Sequence, residues 1–152
     1  MKISPTQASY IAGIIDGEGT LSMSYYKGAV DSYGKKYRSF SMTCRVTNTN
    51  KEVVEWLVKT TGYGKIKLLN VPPSRTGLKL KRQWSWLLPA NGCREILPQL
   101  YPYLIIKKRQ AEIFLDWFRD VSGRRGKNMT KELFQHKLEV LAELHTLNKR
   151  GL

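Results

Sequence analysis

The stretch Tyr10-Ile-Ala-Gly-Ile-Ile-Asp-Gly-Glu-Gly19 decides how the rest of the chain is read. It is an apolar run that ends in two acids, each followed by a glycine. Just upstream, Ser4-Pro5-Thr6-Gln7 carries the signature of a helix start, with Ser4 as N-cap, Pro5 at the first helical position and Gln7 three residues after the cap. Ala8, Ile11, Ala12, Ile14 and Ile15 nearly encircle the helix, so it is expected to be buried on more than one side. Gly13 removes a side chain where a second backbone can approach. Asp16 and Glu18 then close a buried helix. Ionised carboxylates leaving an apolar core require a cation or a full set of hydrogen bonds. Capping and turn-making is the ordinary use of the same residues.

A length of 152 residues suits one domain with a sizeable core, expected to span 1–152 with its core at about 4–121 and a helical tail at about 129–150. Lys and Arg number 26 against 12 Asp and Glu, a formal net charge of +14, which points to a polyanionic partner. The basic residues are scattered along the chain and form no single amphipathic basic helix, which favours nucleic acid over a membrane surface. Cys44 and Cys93 lack CxxC spacing, arguing against a disulfide framework or cysteine metal site and for a reducing compartment. Met1-Lys-Ile-Ser-Pro5 has no long apolar core, and no uninterrupted apolar stretch approaches membrane-spanning length. The expectation is a soluble, unsecreted protein of an organelle or the prokaryotic cytoplasm; organelle residence would require synthesis there or a targeting sequence that these residues do not contain. His136 and His145, nine apart on one predicted helix, fall on opposite faces and make a poor metal pair.

From Thr20 the periodicity changes to two. Leu21, Met23 and Tyr25 fall on one face; Thr20, Ser22, Ser24 and Tyr26 fall on the other. After a turn containing Gly28, Asp31, Ser32 and Gly34, the run Tyr37 to Thr47 alternates again, with Phe40, Met42, Cys44 and Val46 against Ser39, Ser41, Thr43 and Arg45. This is a hairpin with one apolar face and one polar face that carries no acid, suited to base edges and phosphates. Thr49-Asn50-Lys51-Glu52 reads as a capping box for a helix to about Thr60, ended by Gly62 and Gly64. A second hairpin pairs Lys65–Leu69 with about Leu80–Leu88. In it Lys65 and Lys67 share a face, Lys81, Gln83 and Ser85 continue that face, and Trp84, Trp86 and Leu88 point to the core. Asn91 is expected to cap a short helix to about Leu100, broken at Tyr101-Pro102-Tyr103. Helices through Ala111–Val121 and from a Thr130 cap to about Lys149 complete the chain, separated by the basic loop Gly123–Asn128. The fold class is α+β: an αββαββα core whose strands form one four-stranded antiparallel DNA-binding sheet, with helices packed on the opposite face and further C-terminal helices. A strand of nine or ten residues spans roughly 30 Å, about one turn of B-DNA at roughly 34 Å.

The segment Ile11-Ala-Gly-Ile-Ile-Asp-Gly-Glu-Gly19 resembles the LAGLIDADG motif of homing endonucleases, and the αββαββα order is similar to the core of that family. The resemblance implies a single-motif enzyme acting as a homodimer on double-stranded DNA. It would cut both strands of a long near-palindromic target with Mg²⁺, Mn²⁺ or Ca²⁺ substituting for binding, and would use no small-molecule cofactor. Short 3′ overhangs and a gene that frequently resides in an intron are implied as well. By the same resemblance Glu18 is the metal-binding acid, with the Gly17 carbonyl as a further ligand, and Asp16 is structural. Ala12, Gly13 and Asp16 lie at the helix-helix seam of the dimer. Asn48, closing Val46-Thr-Asn48, orients water, and Lys107 reaches toward the scissile phosphate. Many members carry aspartate where this chain has Glu18.

One acid per subunit suffices for magnesium, which keeps several waters and needs only one or two carboxylates beside substrate oxygens. A single motif copy per chain makes a homodimer the economical way to break two strands. Two other readings remain at this point. One is a cleavage-inactive nucleic-acid-binding protein on the same fold, either an intron maturase or a transcriptional regulator. The other is a structural RNA-binding protein, which would explain the charge but not the acidic helix end.

Overall fold

The computed structural model describes residues 2–30, 32–34, 36–70, 76–121 and 130–149. Its elements follow the expected order: α1 (Pro5–Glu18), β1 (Gly19–Val30), β2 (Lys36–Asn48), α2 (Lys51–Thr61), β3 (Lys65–Leu69), β4 (Gln83–Pro89), α3 (Ala90–Leu100), a 3-10 turn (Tyr101–Tyr103), α4 (Lys108–Val121) and α5 (Lys131–Asn148). The four strands form one antiparallel sheet in the order β1-β2-β4-β3, two hairpins laid side by side. The basic loop expected at 123–128 and the Pro72-Pro73-Ser74 turn lie outside the described residues.

Helix α1 begins as its sequence dictates. Ser4 Oγ accepts from Gln7 N at 3.2 Å and Gln7 Oε1 accepts from Ser4 N at 3.0 Å, a reciprocal capping box. Ala8, Ile11, Ala12 and Ile15 are buried, and Ile14 packs on the core. The helix passes into β1 without a loop because Gly19 is extended, φ −87° and ψ 159°, and donates to Ile15 O. A Cβ there would stand 2.6 Å from that carbonyl, so only glycine permits the transition.

β1 and β2 are longer than expected, 12 and 13 residues. Gly28, read as part of a turn, is a bulge within β1 between Lys27 and Ala29, at φ +90°. At about 3.3 Å per residue this hairpin reaches roughly 40 Å. Leu21, Met23, Met42, Cys44, Val46, Trp86 and Leu88 are buried against the helices on the inner face. Trp86 is covered completely and donates from Nε1 to Tyr63 O at 2.9 Å, so both tryptophans of β4 belong to the core, Trp84 at its margin.

Three further boundaries differ from the expectation. Helix α2 is capped by Asn50, whose side chain accepts from Glu52 N at 2.9 Å, and not by Thr49. Helix α3 starts one residue before Asn91, behind Pro89 and without a side-chain cap, because β4 runs straight into it. Strand β4 begins at Gln83, so Leu80, Lys81 and Arg82 precede it.

Beyond the sheet, α4 inserts Ala111, Phe114 and Phe118, and α5 covers Phe40 and Tyr25 with Phe134. Lys137 of α5 is also buried, its ammonium 4.8 Å from the ring centre of Trp117 and 5.5 Å from that of Phe40. Burial lowers its pKa from the ordinary lysine value. Both thiols are free and buried; desolvation pushes Cys44 up and Cys93 up to about 12, which leaves them unreactive packing groups. Among the described residues no helix is long and apolar enough to cross a membrane.

Packing is close at Gly64, φ +92°, where an added Cβ would lie 2.2 Å from Trp86 Nε1. Gly64→Ala is expected to cost about 2–4 kcal/mol through a left-handed alanine and a displaced indole, read as a lower denaturation midpoint. An unchanged midpoint would show that the β3 entry is loosely packed.

Candidate active site

The site is assembled where three segments meet at the carboxyl end of α1. Asp16 sits in the last turn, half-buried, and both its oxygens are engaged. Oδ2 accepts from Ile105 N at 2.8 Å and Oδ1 from Lys107 N at 2.9 Å. Lys107 in turn donates from Nζ to the Asp16 carbonyl at 2.6 Å. The acid therefore fastens the turn that precedes α4, nearly a hundred residues along the chain, to the end of the motif helix.

Gly17 and Glu18 follow at the surface, both exposed. No hydrogen bond or ion pair ties up the Glu18 carboxylate among the described residues. Asn48, at the last position of β2, is half-buried, and its Oδ1 accepts from Asn50 N at 2.8 Å. It is thus a turn residue ahead of the α2 cap, with its amide nitrogen on a separate atom still able to donate. The pairing of Gly19 with Val46 sets Asn48 two residues past the paired end of β1, on the side where α1 ends. Asp16 and Lys107 are joined directly, Glu18 follows Asp16 by two residues along the chain, and Asn48 lies at the same end of the sheet.

The outward face of α1 is formed by Tyr10, Gly13 and Gly17. A Cβ built on either glycine meets nothing within 4 Å. Tyr10 is 56% exposed and stands edge-on to Trp56 of α2, ring centres 5.2 Å apart. Ala12 requires a correction. It is fully buried in the core of its own chain, because the helix turns that residue toward the sheet, and it is unavailable to a second molecule. Asp16, also assigned to the seam, spends both oxygens inside the chain.

The outer face of the sheet carries most of the expected polar residues. Thr20, Ser24, Tyr26 and Arg45 of the first hairpin and Lys65 and Lys67 of β3 are exposed. Ser22, Ser39, Ser41, Thr43 and Gln83 are half-buried. Ser22 faces Thr43 across the β1–β2 pair with their hydroxyls 3.3 Å apart. Two assignments change. Lys81 is exposed but lies ahead of β4, outside the strand. Ser85 is 1% exposed, centred in the row Thr47, Ser85, Lys67, and its hydroxyl has no partner among the described residues. It cannot present a free hydroxyl to a ligand without movement of the side chains above it.

Ile105 and Ile106, 83% and 71% exposed, were missed by sequence reasoning. The sequence shows this segment only as the lead into a helix; Leu104 is buried and the two isoleucines after it are not.

The donor set at the end of α1 is a carboxylate with backbone carbonyls beside it, all hard oxygen. Among the described residues there is no cluster of three or more His, Cys, Asp or Glu able to hold a metal. One carboxylate and a carbonyl fit magnesium and not a zinc or calcium cage.

No protein-family model matches the sequence, and no curated protein matches it. Solved structures do match the fold. An archaeal intron-encoded homing endonuclease, I-Vdi141I, complexed with DNA, superposes with a TM-score of 0.74 over 97% of this chain and 87% of that one at 20% identity. The homing endonuclease I-CvuI, in a complex with DNA and Mg in which the DNA is not cleaved, gives 0.72 over 97% and 84% at 15% identity. The LAGLIDADG homing endonuclease I-SmaMI, bound to cleaved DNA, gives 0.61 at 23% identity and covers 99% of this chain but 45% of that longer one.

Proposed function

We propose, from its possession of the LAGLIDADG homing-endonuclease fold, that this chain is a site-specific DNA endonuclease acting as a homodimer on a near-palindromic duplex and leaving short 3′ overhangs. The observation that carries the reading is the Glu18 carboxylate, without a partner among the described residues, at the end of a buried helix, with the Lys107 ammonium held two residues away on Asp16. A structural acid is consumed by backbone N–H groups, as Asp16 is by those of Ile105 and Lys107. Glu18 is left for something that the described residues do not supply.

In this reading Glu18 and the Gly17 carbonyl hold the magnesium ion. When bound, the metal supplies charge neutralisation at the phosphate and a water that ionises near neutral pH. Lys107 lends its ammonium to the charge that builds on the scissile phosphate. Asn48, its Oδ1 fixed on the α2 cap, donates from its amide nitrogen to orient a water. Lys65, Lys67 and Arg45 supply phosphate contacts, and the hydroxyls of β1 and β2 read base edges in the major groove.

Pairing two copies through the Tyr10-Gly13-Gly17 face explains why glycines without local steric need occupy the outside of a helix. It would also cover the exposed Ile105–Ile106 turn, an apolar pair that is otherwise left in water. That one chain spans just under half of a longer enzyme of the same fold supports two copies per functional unit.

The test is incubation with a library of plasmids carrying randomised sites in Mg²⁺, followed by sequencing of the cut ends. Linear product with one recovered near-palindromic site supports the proposal. Plasmid that is retarded on a gel but never cut would make the chain a binding protein on this fold.

A further inference from the structure

We infer that Asp16 is a positioning residue for Lys107: the two form a closed clamp that holds the ammonium at the end of α1 before substrate arrives. The inference rests on the endonuclease reading and deepens it.

Asp16 grips two alternate N–H groups of one turn, Ile105 and Lys107, one with each carboxylate oxygen. The Lys107 side chain then returns to the same residue, to its backbone carbonyl. Both ends of the lysine are thereby tied to Asp16, the backbone by the carboxylate and the tip by the carbonyl. The carbonyl is one of those at a helix end whose i+4 residue, here Thr20, has left the helix for β1, and the negative end of the helix favours an ammonium there. Lysine is otherwise a flexible point charge with many rotamers. Fixing it in advance removes that freedom before the phosphate is bound. An acid that served only to join α1 to α4 would need the backbone bonds alone; the returning ammonium, 2.6 Å from the carbonyl, is what couples the joint to the site.

The experiment compares full-length wild type, Asp16→Asn, Lys107→Met and the double variant. Asparagine keeps the size but turns one acceptor into a donor that opposes an N–H of the turn. In the free protein, acetic anhydride labelling read by peptide mass spectrometry, with Lys65 as internal reference, is expected to modify Lys107 roughly tenfold faster in D16N, the scale of losing a charge-assisted hydrogen bond. On target DNA, single-turnover cleavage is expected to fall about a hundredfold in D16N and no further in the double variant than in K107M, with D16N still binding the target in Ca²⁺. Should D16N fail to fold, Ile105→Pro removes the donor to Oδ2 and leaves the carboxylate; Leu104, at ψ 138°, accepts a following proline. Unchanged labelling, or cleavage losses that add, would overturn the clamp in an enzyme that cuts. Wild type that leaves DNA uncut while labelling still responds to D16N would overturn the endonuclease reading and leave the clamp standing.

Discussion

Glu18→Gln abolishes double-strand cleavage and leaves folding and DNA binding in place: that is the largest effect expected of any single substitution here. The side chain is exposed and touches no partner among the described residues, so an isosteric amide disturbs neither the core nor a cap. Surface changes of this kind move stability by no more than about 0.5 kcal/mol. The loss falls on chemistry. Removing the charged ligand of a metal that contributes several kcal/mol to the barrier lowers the rate by about three orders of magnitude or more. The measurement is single-turnover cleavage of a labelled duplex in Mg²⁺ beside a gel shift in Ca²⁺. A variant that still cuts at a tenth of the wild-type rate would place the essential acid elsewhere.

Gly13→Leu is expected to act with opposite signs on the protomer and on the assembly. Within one chain the position is open: a Cβ added there meets nothing inside 4 Å, and φ is not positive. Replacing a mid-helix glycine by a good helix former should therefore stabilise the protomer by about 0.5–1 kcal/mol. Between chains the same side chain stands where two α1 backbones meet, and the close approach is lost. Sedimentation should find a monomer, the thermal midpoint of dilute protein should rise by a few degrees, and cleavage of both strands should disappear. A leucine variant that stays dimeric and cuts like wild type would remove this face from the seam.

How far the sequence carried the fold can be read from where it went astray. The capping box at Ser4 and Gln7, the period-two runs of β1 and β2 and the buried tryptophans of β4 are local patterns, and each is found as read. Errors gather where an element is set by its neighbours. Asn50 displaced Thr49 as cap because Asn48 forms a turn onto Asn50 N, and α3 needed no cap at Asn91 because β4 feeds it directly. Ser85 alternates correctly onto the outer face, yet it lies mid-sheet in the row of Thr47 and Lys67, and periodicity carries no record of what covers a residue from above. The resemblance placed Ala12 at the seam beside Gly13, though one step along a helix turns a side chain by about 100°, and Ala12 is buried in its own chain. At the site, Asp16 and Glu18 could be singled out as acids but not told apart by composition. The resemblance gave them different roles; in the fold both Asp16 oxygens are spent on residues 105 and 107, and Glu18 has no partner among the described residues.

The account turns on Glu18 as the group that brings a divalent ion to the backbone to be cut. Anomalous diffraction from a Mn²⁺-soaked crystal of the protein on its target tests this most directly. A manganese peak at the carboxylate of Glu18 in each of two subunits, with α1 packed against α1 between them, is the predicted result. Peaks bound elsewhere, or a single subunit on the duplex, would contradict it.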